Sequence, residues 1–148
     1  MTQTMLPMIL VLVAGGLIAL QAPTNAILGK AGGSPVLAAL ISFAVGTLAL
    51  LVVWVASGNR PGASAFAKVP WYAWIGGLYG ATFVAVAAYA APKIGLASLI
   101  TIGIAGQIIM AMALDHFGAF GLPKDPISLA RIGGALLVFA GVILVRRG

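Results

Sequence analysis

No charged residue precedes Lys30 in this chain, and the stretch before it is almost wholly apolar. About twenty residues, at a rise of about 1.5 Å each, are enough to cross the roughly 30 Å hydrocarbon core of a bilayer. A run of this length therefore predicts a membrane-spanning segment. Four more apolar runs follow, so the spans fall at about residues 6–28, 35–56, 70–91, 96–114 and 126–145. None shows the ten-residue alternation of apolar and polar positions that a transmembrane barrel strand needs, so the spans are helices. The predicted fold is an all-α, polytopic membrane protein with five transmembrane helices in a single domain of 148 residues. Composition agrees: 62% hydrophobic and 7% charged residues, with a mean hydropathy of +1.17, is outside the range of water-soluble domains. The first run has no basic residue ahead of its apolar core, which marks it as a retained span and not a cleaved signal peptide.

The most informative interruption of these runs is Gln21-Ala22-Pro23-Thr24-Asn25. Gln21 and Asn25 are one helical turn apart and share a face, at a depth where an unpaired amide is costly. Pro23 removes a backbone donor and frees the carbonyl of Ala19, predicting a kink and an extra acceptor beside the amides. The combination makes Gln21 and Asn25 candidates for binding a substrate.

Further along, Gly29 to Ser34 reads as a turn, with Ser34 as N-cap and Pro35 at the first position of the second helix. Ser57 to Val69 is the first long loop, and Pro70 opens the third span. Trp71, Tyr72 and Trp74 in its first turn suit the headgroup interface, the reading their frequency in such belts favours, with Trp74 and Tyr79 also candidates to offer aromatic faces to a ligand. Gly76 and Gly80 have the spacing of a close helix contact. Pro92 is predicted to end the span, leaving only Pro92-Lys93-Ile94-Gly95 before the fourth, so the third and fourth helices should be antiparallel neighbours. Gln107 lies well inside the fourth span, where it serves either another helix or a ligand. Asp115-His116-Phe117-Gly118 closes that helix. Asp125 caps the fifth and Pro126 starts it, which sets Arg131 more than a turn inside, with Asp115 as its obvious partner.

Charge excludes some functions and leaves one question open. The net charge of +6 comes from eight basic residues scattered at the ends of apolar runs, a pattern of membrane anchors and not of a nucleic-acid surface. Five spans set Arg60, Lys68, Lys124 and Arg131 on the side of the N-terminus and Lys30, Lys93, Arg146 and Arg147 on the other. This even division gives no preferred orientation under the positive-inside rule. Chains inserted both ways would form an inverted repeat like those of many transporters. There is no cysteine, one histidine and no metal-ligand cluster, so neither catalytic residues nor metal or cofactor sites are predicted.

These motifs together resemble the small YdcZ-type family of bacterial membrane proteins, within the drug/metabolite transporter superfamily. The resemblance rests on Gly15-Gly16, Leu20-Gln21-Ala22-Pro23-Thr24-Asn25, Trp74-Ile75-Gly76-Gly77, Ala91-Pro92-Lys93-Ile94-Gly95, Gly106-Gln107, Leu114-Asp115-His116-Phe117-Gly118 and Ala130-Arg131-Ile132-Gly133-Gly134. It implies five spans per chain, a location in the bacterial inner membrane, and an antiparallel two-chain assembly that resembles the ten-helix transporters of the superfamily. The partner would be a second, inverted copy or a paralogous chain.

The related small multidrug resistance exporters carry a glutamate in the first span, the shared site for protons and cationic drugs. Here the first span holds no acid, and the chain's two acids, Asp115 and Asp125, sit at membrane edges. A buried carboxylate with a movable pKa is the usual means of exchanging a proton for a cation. Its absence points instead to a neutral or zwitterionic polar substrate held by Gln21, Asn25 and Gln107 with Tyr79 or Trp74. Asp115, His116 and Arg131 form a second constellation, either an edge network joining the fourth and fifth helices or, through His116, a proton-coupling site. The predicted function is a secondary transporter of a small polar or amphiphilic molecule working by alternating access. A passive channel and an accessory membrane protein without substrate are the alternatives. Isolated polar positions separated by aliphatic stretches suit the transporter better than a pore.

Overall fold

A computed structural model describes the backbone of residues 2–147 and, apart from residues 2–4 and 63, their side chains. Its regular structure is helical, and five helices are long and apolar enough to cross a membrane. They are α1 (Thr2–Gly32), α2 (Pro35–Ala56), α3 (Gly76–Ile94), α4 (Leu96–Phe117) and α5 (Leu129–Arg147). The chain divides into two compact units, Met1–Lys93 and Ile94–Gly148.

In the first unit, α1 runs through both Pro7 and Pro23. Beside Pro23, the Thr24 hydroxyl lies 3.1 Å from the Leu20 carbonyl and 2.9 Å from that of Gln21, so it donates back into its own helix. The helix then continues past Leu28, where the sequence reading placed its end, to Gly32. Gly29 is therefore a packing residue and not a turn residue. A Cβ there would lie 3.5 Å from Pro35 Cα and 3.7 Å from Ala38 Cβ, and the missing side chain lets α1 and α2 approach. Lys30 belongs to the last turn of α1, where a cation complements the negative end of the helix dipole. The turn itself is only Gly33, at φ +68°, and Ser34. Ser34 Oγ accepts from Leu37 N–H at 3.2 Å, and Pro35 occupies the start of α2, as its sequence predicts.

α2 ends on polar groups that satisfy its last carbonyls. Ser57 N–H donates to Val53 O at 2.9 Å and its hydroxyl to Trp54 O at 2.7 Å. Arg60 donates to the carbonyls of Asn59 (3.0 Å) and Val55 (3.3 Å) and lies 4.9 Å over the Trp54 ring. After the loop, the third span opens with a 3₁₀ turn at Trp71–Ile75 before α3 begins. Pro92 does not end this helix, which extends through Lys93 to Ile94. One lost donor a few residues from a helix end costs a single hydrogen bond and need not stop the chain. The stop is Gly95, at φ +80° and ψ 152°, a conformation that an L side chain rarely adopts.

In the second unit, α4 runs three residues beyond Leu114 and ends at Gly118, which is left-handed at φ 61° and donates to Asp115 O at 3.1 Å. The start of α5 departs from expectation. Neither Asp125 nor Pro126 begins it. The cap is Ser128, whose Oγ accepts from Arg131 N–H at 3.3 Å and whose carbonyl accepts from Ile132 N–H at 3.0 Å. Asp125 is committed elsewhere: its N–H donates to Asp115 O at 2.9 Å and its carboxylate meets Arg131. The later start leaves Arg131 in the first turn of α5, at the helix edge and not more than a turn inside.

Burial is reversed relative to a water-soluble bundle. The buried apolar side chains are mostly alanines, among them Ala22, Ala38, Ala39 and Ala88, while most leucines, isoleucines and valines are exposed. In lipid, exposing a leucine costs nothing, and association depends on close backbone approach, so small residues take the contacts.

Candidate substrate site

The site begins on α1. Asn25 is 2% exposed, the one buried polar or charged residue among those described. Its Nδ2 is also the one buried side-chain nitrogen or oxygen among the described residues with no hydrogen-bond partner. Leaving such a donor unsatisfied costs about 1–3 kcal/mol. Gln21, one turn earlier on the same face, is half-buried, and Ala22 beside it is buried. The nearby Thr24 hydroxyl is already spent on backbone carbonyls, so the buried unmet donor of this stretch is the asparagine Nδ2.

Of the other predicted binding residues, Trp74 and Tyr79 belong to the first unit and Gln107 to the second. Trp74 and Tyr79 are 63% and 64% exposed, and Trp74 packs its ring 5.8 Å from that of Phe66. Gln107 is an exposed residue of α4, in the second unit.

A cavity of about 410 Å³ in the first unit was not foreseen from the sequence. It is lined by Ala26, Ile27, Gly29 and Lys30 of α1, Pro35 of α2, and Ala88, Tyr89, Pro92 and Lys93 of α3. Lys93 Nζ lies 3.7 Å from the centroid of the Tyr89 ring, a cation–π contact. The signal was present as Tyr89 and Lys93 at i and i+4, a spacing that makes helical neighbours.

Asp115, His116 and Arg131 do come together in the second unit. Arg131 Nη1 is 3.2 Å from Asp115 Oδ2, and Nη2 contacts Asp125 Oδ2. Asp125, read from the sequence only as a cap, thus completes the cluster. His116 Nδ1 accepts from Ile127 N–H at 3.2 Å. The cluster ties the loop and the first turn of α5 to the last turn of α4. Both acids of the chain are consumed in it, and no group of three metal-ligating side chains occurs among the described residues.

Comparison with known proteins adds a family. The family model described as "Putative inner membrane exporter, YdcZ" matches residues 6–144. The "Inner membrane protein YdcZ" of Escherichia coli (strain K12) is 30% identical over 112 residues, covering 75% of this chain and 74% of that protein. No solved structure matches.

Proposed function

The chain belongs to the YdcZ family and is a multi-pass protein of the bacterial inner membrane, and on that premise we propose that it transports a small polar, neutral or zwitterionic molecule. The family description, an inner membrane exporter, supports outward movement. In this reading transport proceeds by alternating access between two oppositely inserted copies, which together form an inverted repeat like those of many transporters.

The observation that carries this reading is the unpartnered Nδ2 of Asn25. A substrate carbonyl, carboxylate or hydroxyl oxygen would supply the missing acceptor, and Gln21 on the same face would supply a second amide. Both acids are engaged by Arg131 at a helix edge, so neither is free to exchange a proton for a cation as a buried carboxylate would. The substrate therefore needs no net positive charge. Trp74, Tyr79 and Gln107, exposed on the single chain, would complete the cavity once a second copy covers them. Support for inverted pairing comes from the even division of basic residues across five spans.

Two measurements test the proposal. The chain lacks cysteine, so single cysteines at Ser64 and appended after Gly148 can be labelled in intact and in opened cells. Oppositely inserted chains label partially at both positions from outside; labelling at only one position rejects the inverted homodimer. Thermal-shift screening of the purified protein against amino acids, polyols and sugars should then find compounds that stabilise it, because a ligand of the folded state raises Tm. Stabilisation that persists unchanged in Asn25→Ala and Gln21→Ala would remove the amides from the site.

A further inference from the structure

We propose that the cavity in the first unit is a headgroup site for an anionic phospholipid, with Lys30 and Lys93 holding the phosphate. The proposal is independent of the transport reading.

Both ammonium groups come from the last turns of their helices, α1 and α3, and both line the same cavity of about 410 Å³. Each lysine by itself is accounted for by the helix dipole, which favours a cation at a C-terminus. The dipole does not account for two cations on one cavity, where they repel unless an anion lies with them. The chain offers none: its two carboxylates, Asp115 and Asp125, are both paired with Arg131, and neither lysine has an ion pair among the described residues. Lys93 is held over the Tyr89 ring, which fixes one cation on the cavity wall. Pro35 adds the N-terminal, positive end of α2 to the lining.

The rest of the lining decides between a lipid and a free anion. Ala26, Ile27, Ala88 and Pro92 are apolar, which suits a glycerol backbone and the first acyl carbons and offers nothing to a hydrated inorganic ion. The cavity also lies at the ends of the apolar helices α1 and α3, and the end of a helix that crosses a bilayer meets the headgroup layer. Basic pockets between transmembrane helices in such positions hold anionic headgroups.

The test uses the full-length protein in an uncharged detergent, with lipid retention read by native mass spectrometry. The probes are phosphatidylglycerol and phosphatidylcholine with the same acyl chains. The wild type should retain phosphatidylglycerol preferentially. At about fivefold for each basic residue near the headgroups, Lys30→Gln with Lys93→Gln should weaken that retention about 30-fold and leave phosphatidylcholine unchanged. Lys68→Gln with Lys124→Gln removes the same charge from the other membrane edge and should leave retention as in the wild type. Should the double variant fail to fold, Lys30→Gln alone keeps the Lys93–Tyr89 contact and should show about a fivefold loss. Unchanged phosphatidylglycerol retention in Lys30→Gln with Lys93→Gln, or in Lys30→Gln alone, overturns the site. Displacement of the lipid by millimolar inorganic phosphate would show a soluble-anion site instead, and overturns the lipid assignment.

Discussion

The α1–α2 and α4–α5 hairpins treat polar side chains in opposite ways. The first is joined by Gly33 and Ser34 and closed along a seam of Gly29, Pro35 and Ala38; its buried amide, Asn25, has a donor with no partner. The second is joined by a loop with engaged polar groups beside it: Asp115 and Asp125 with Arg131, and His116 with the Ile127 amide. Position explains the difference. The second cluster sits at helix ends, where water is at hand and pairing serves to fix the loop. Asn25 lies roughly 10 Å inside the end of α1 at a rise of about 1.5 Å per residue, in a buried position where no described protein group answers its Nδ2. Polar groups satisfied within the chain build the structure, whereas one left unsatisfied in the apolar interior is available to a ligand.

The sharpest way to break this comparison is Asn25→Leu. In the proposed two-copy assembly each copy contributes one amide, and at about 1.4 kcal/mol per tenfold in affinity the loss of both hydrogen bonds should weaken substrate binding about 100-fold. The same change should stabilise the unliganded protein by about 1 kcal/mol, because it removes an unsatisfied buried donor. Ligand-induced thermal shifts and the denaturation midpoint of the free protein read the two effects separately. If both stability and binding fall, Asn25 is a structural residue and the contrast between the hairpins disappears.

The seam of the first hairpin gives the next effect. Gly29→Ala places a Cβ in ordinary van der Waals contact with Pro35 and Ala38 and should be tolerated, whereas Gly29→Leu must push α2 away. Overpacking of this kind costs about 1–3 kcal/mol, which a lowered denaturation midpoint in detergent would show. A tolerated leucine would mean that the two helices are not held by close approach.

The five spans were legible because length and apolarity alone decide whether a helix crosses a bilayer, and α2 was placed at both ends by Ser34, Pro35 and the charge-free run that follows. The misplaced ends have a common cause. Lys30, Lys93 and His116 are polar enough to suggest loops, yet each favours the C-terminal turn of a helix through the dipole, so α1, α3 and α4 run past the predicted stops. Asp125 looked like a cap because nothing local reveals that Arg131, six residues on, claims its carboxylate. The face shared by Gln21 and Asn25 followed from helical periodicity, but which of the two amides is fully buried is set only by the packed helices. The cavity at Lys30 and Lys93 was hidden for a related reason, since it needs residues of three helices.

The second hairpin should respond to Arg131→Met in stability and not in ligand response. The substitution leaves Asp115 and Asp125 without their shared cation. Because the arginine and Asp115 side chains are each about a third exposed, at 33% and 36%, the loss should be modest, on the order of 1 kcal/mol. The denaturation midpoint should fall, while the thermal shift produced by a bound substrate keeps its size. Adding Asp115→Asn should recover part of the loss by removing one of the two carboxylates left facing each other. A ligand response that disappears in Arg131→Met would move the edge cluster from clamp to binding machinery.

The smallest effect belongs to His116→Phe, and it is informative because it tests the same kind of loss at the wet end of the comparison. The variant keeps a ring beside Phe117, whose centroid lies 4.9 Å away in an edge-on arrangement, but removes the acceptor for Ile127 N–H. At this exposed edge a water molecule can take over the abandoned amide, so stability should fall by only about 0.5 kcal/mol. Hydrogen exchange at the Ile127 amide should nevertheless speed up severalfold, since the group then opens to solvent without a protein partner. The expected pattern is therefore a local loosening with no change in ligand binding. A proton-coupling role for His116 predicts the reverse, with transport losing its dependence on a proton gradient while the Ile127 amide exchanges as before, because in that case the ring's ionisation and not its bond to the loop would be what the protein uses.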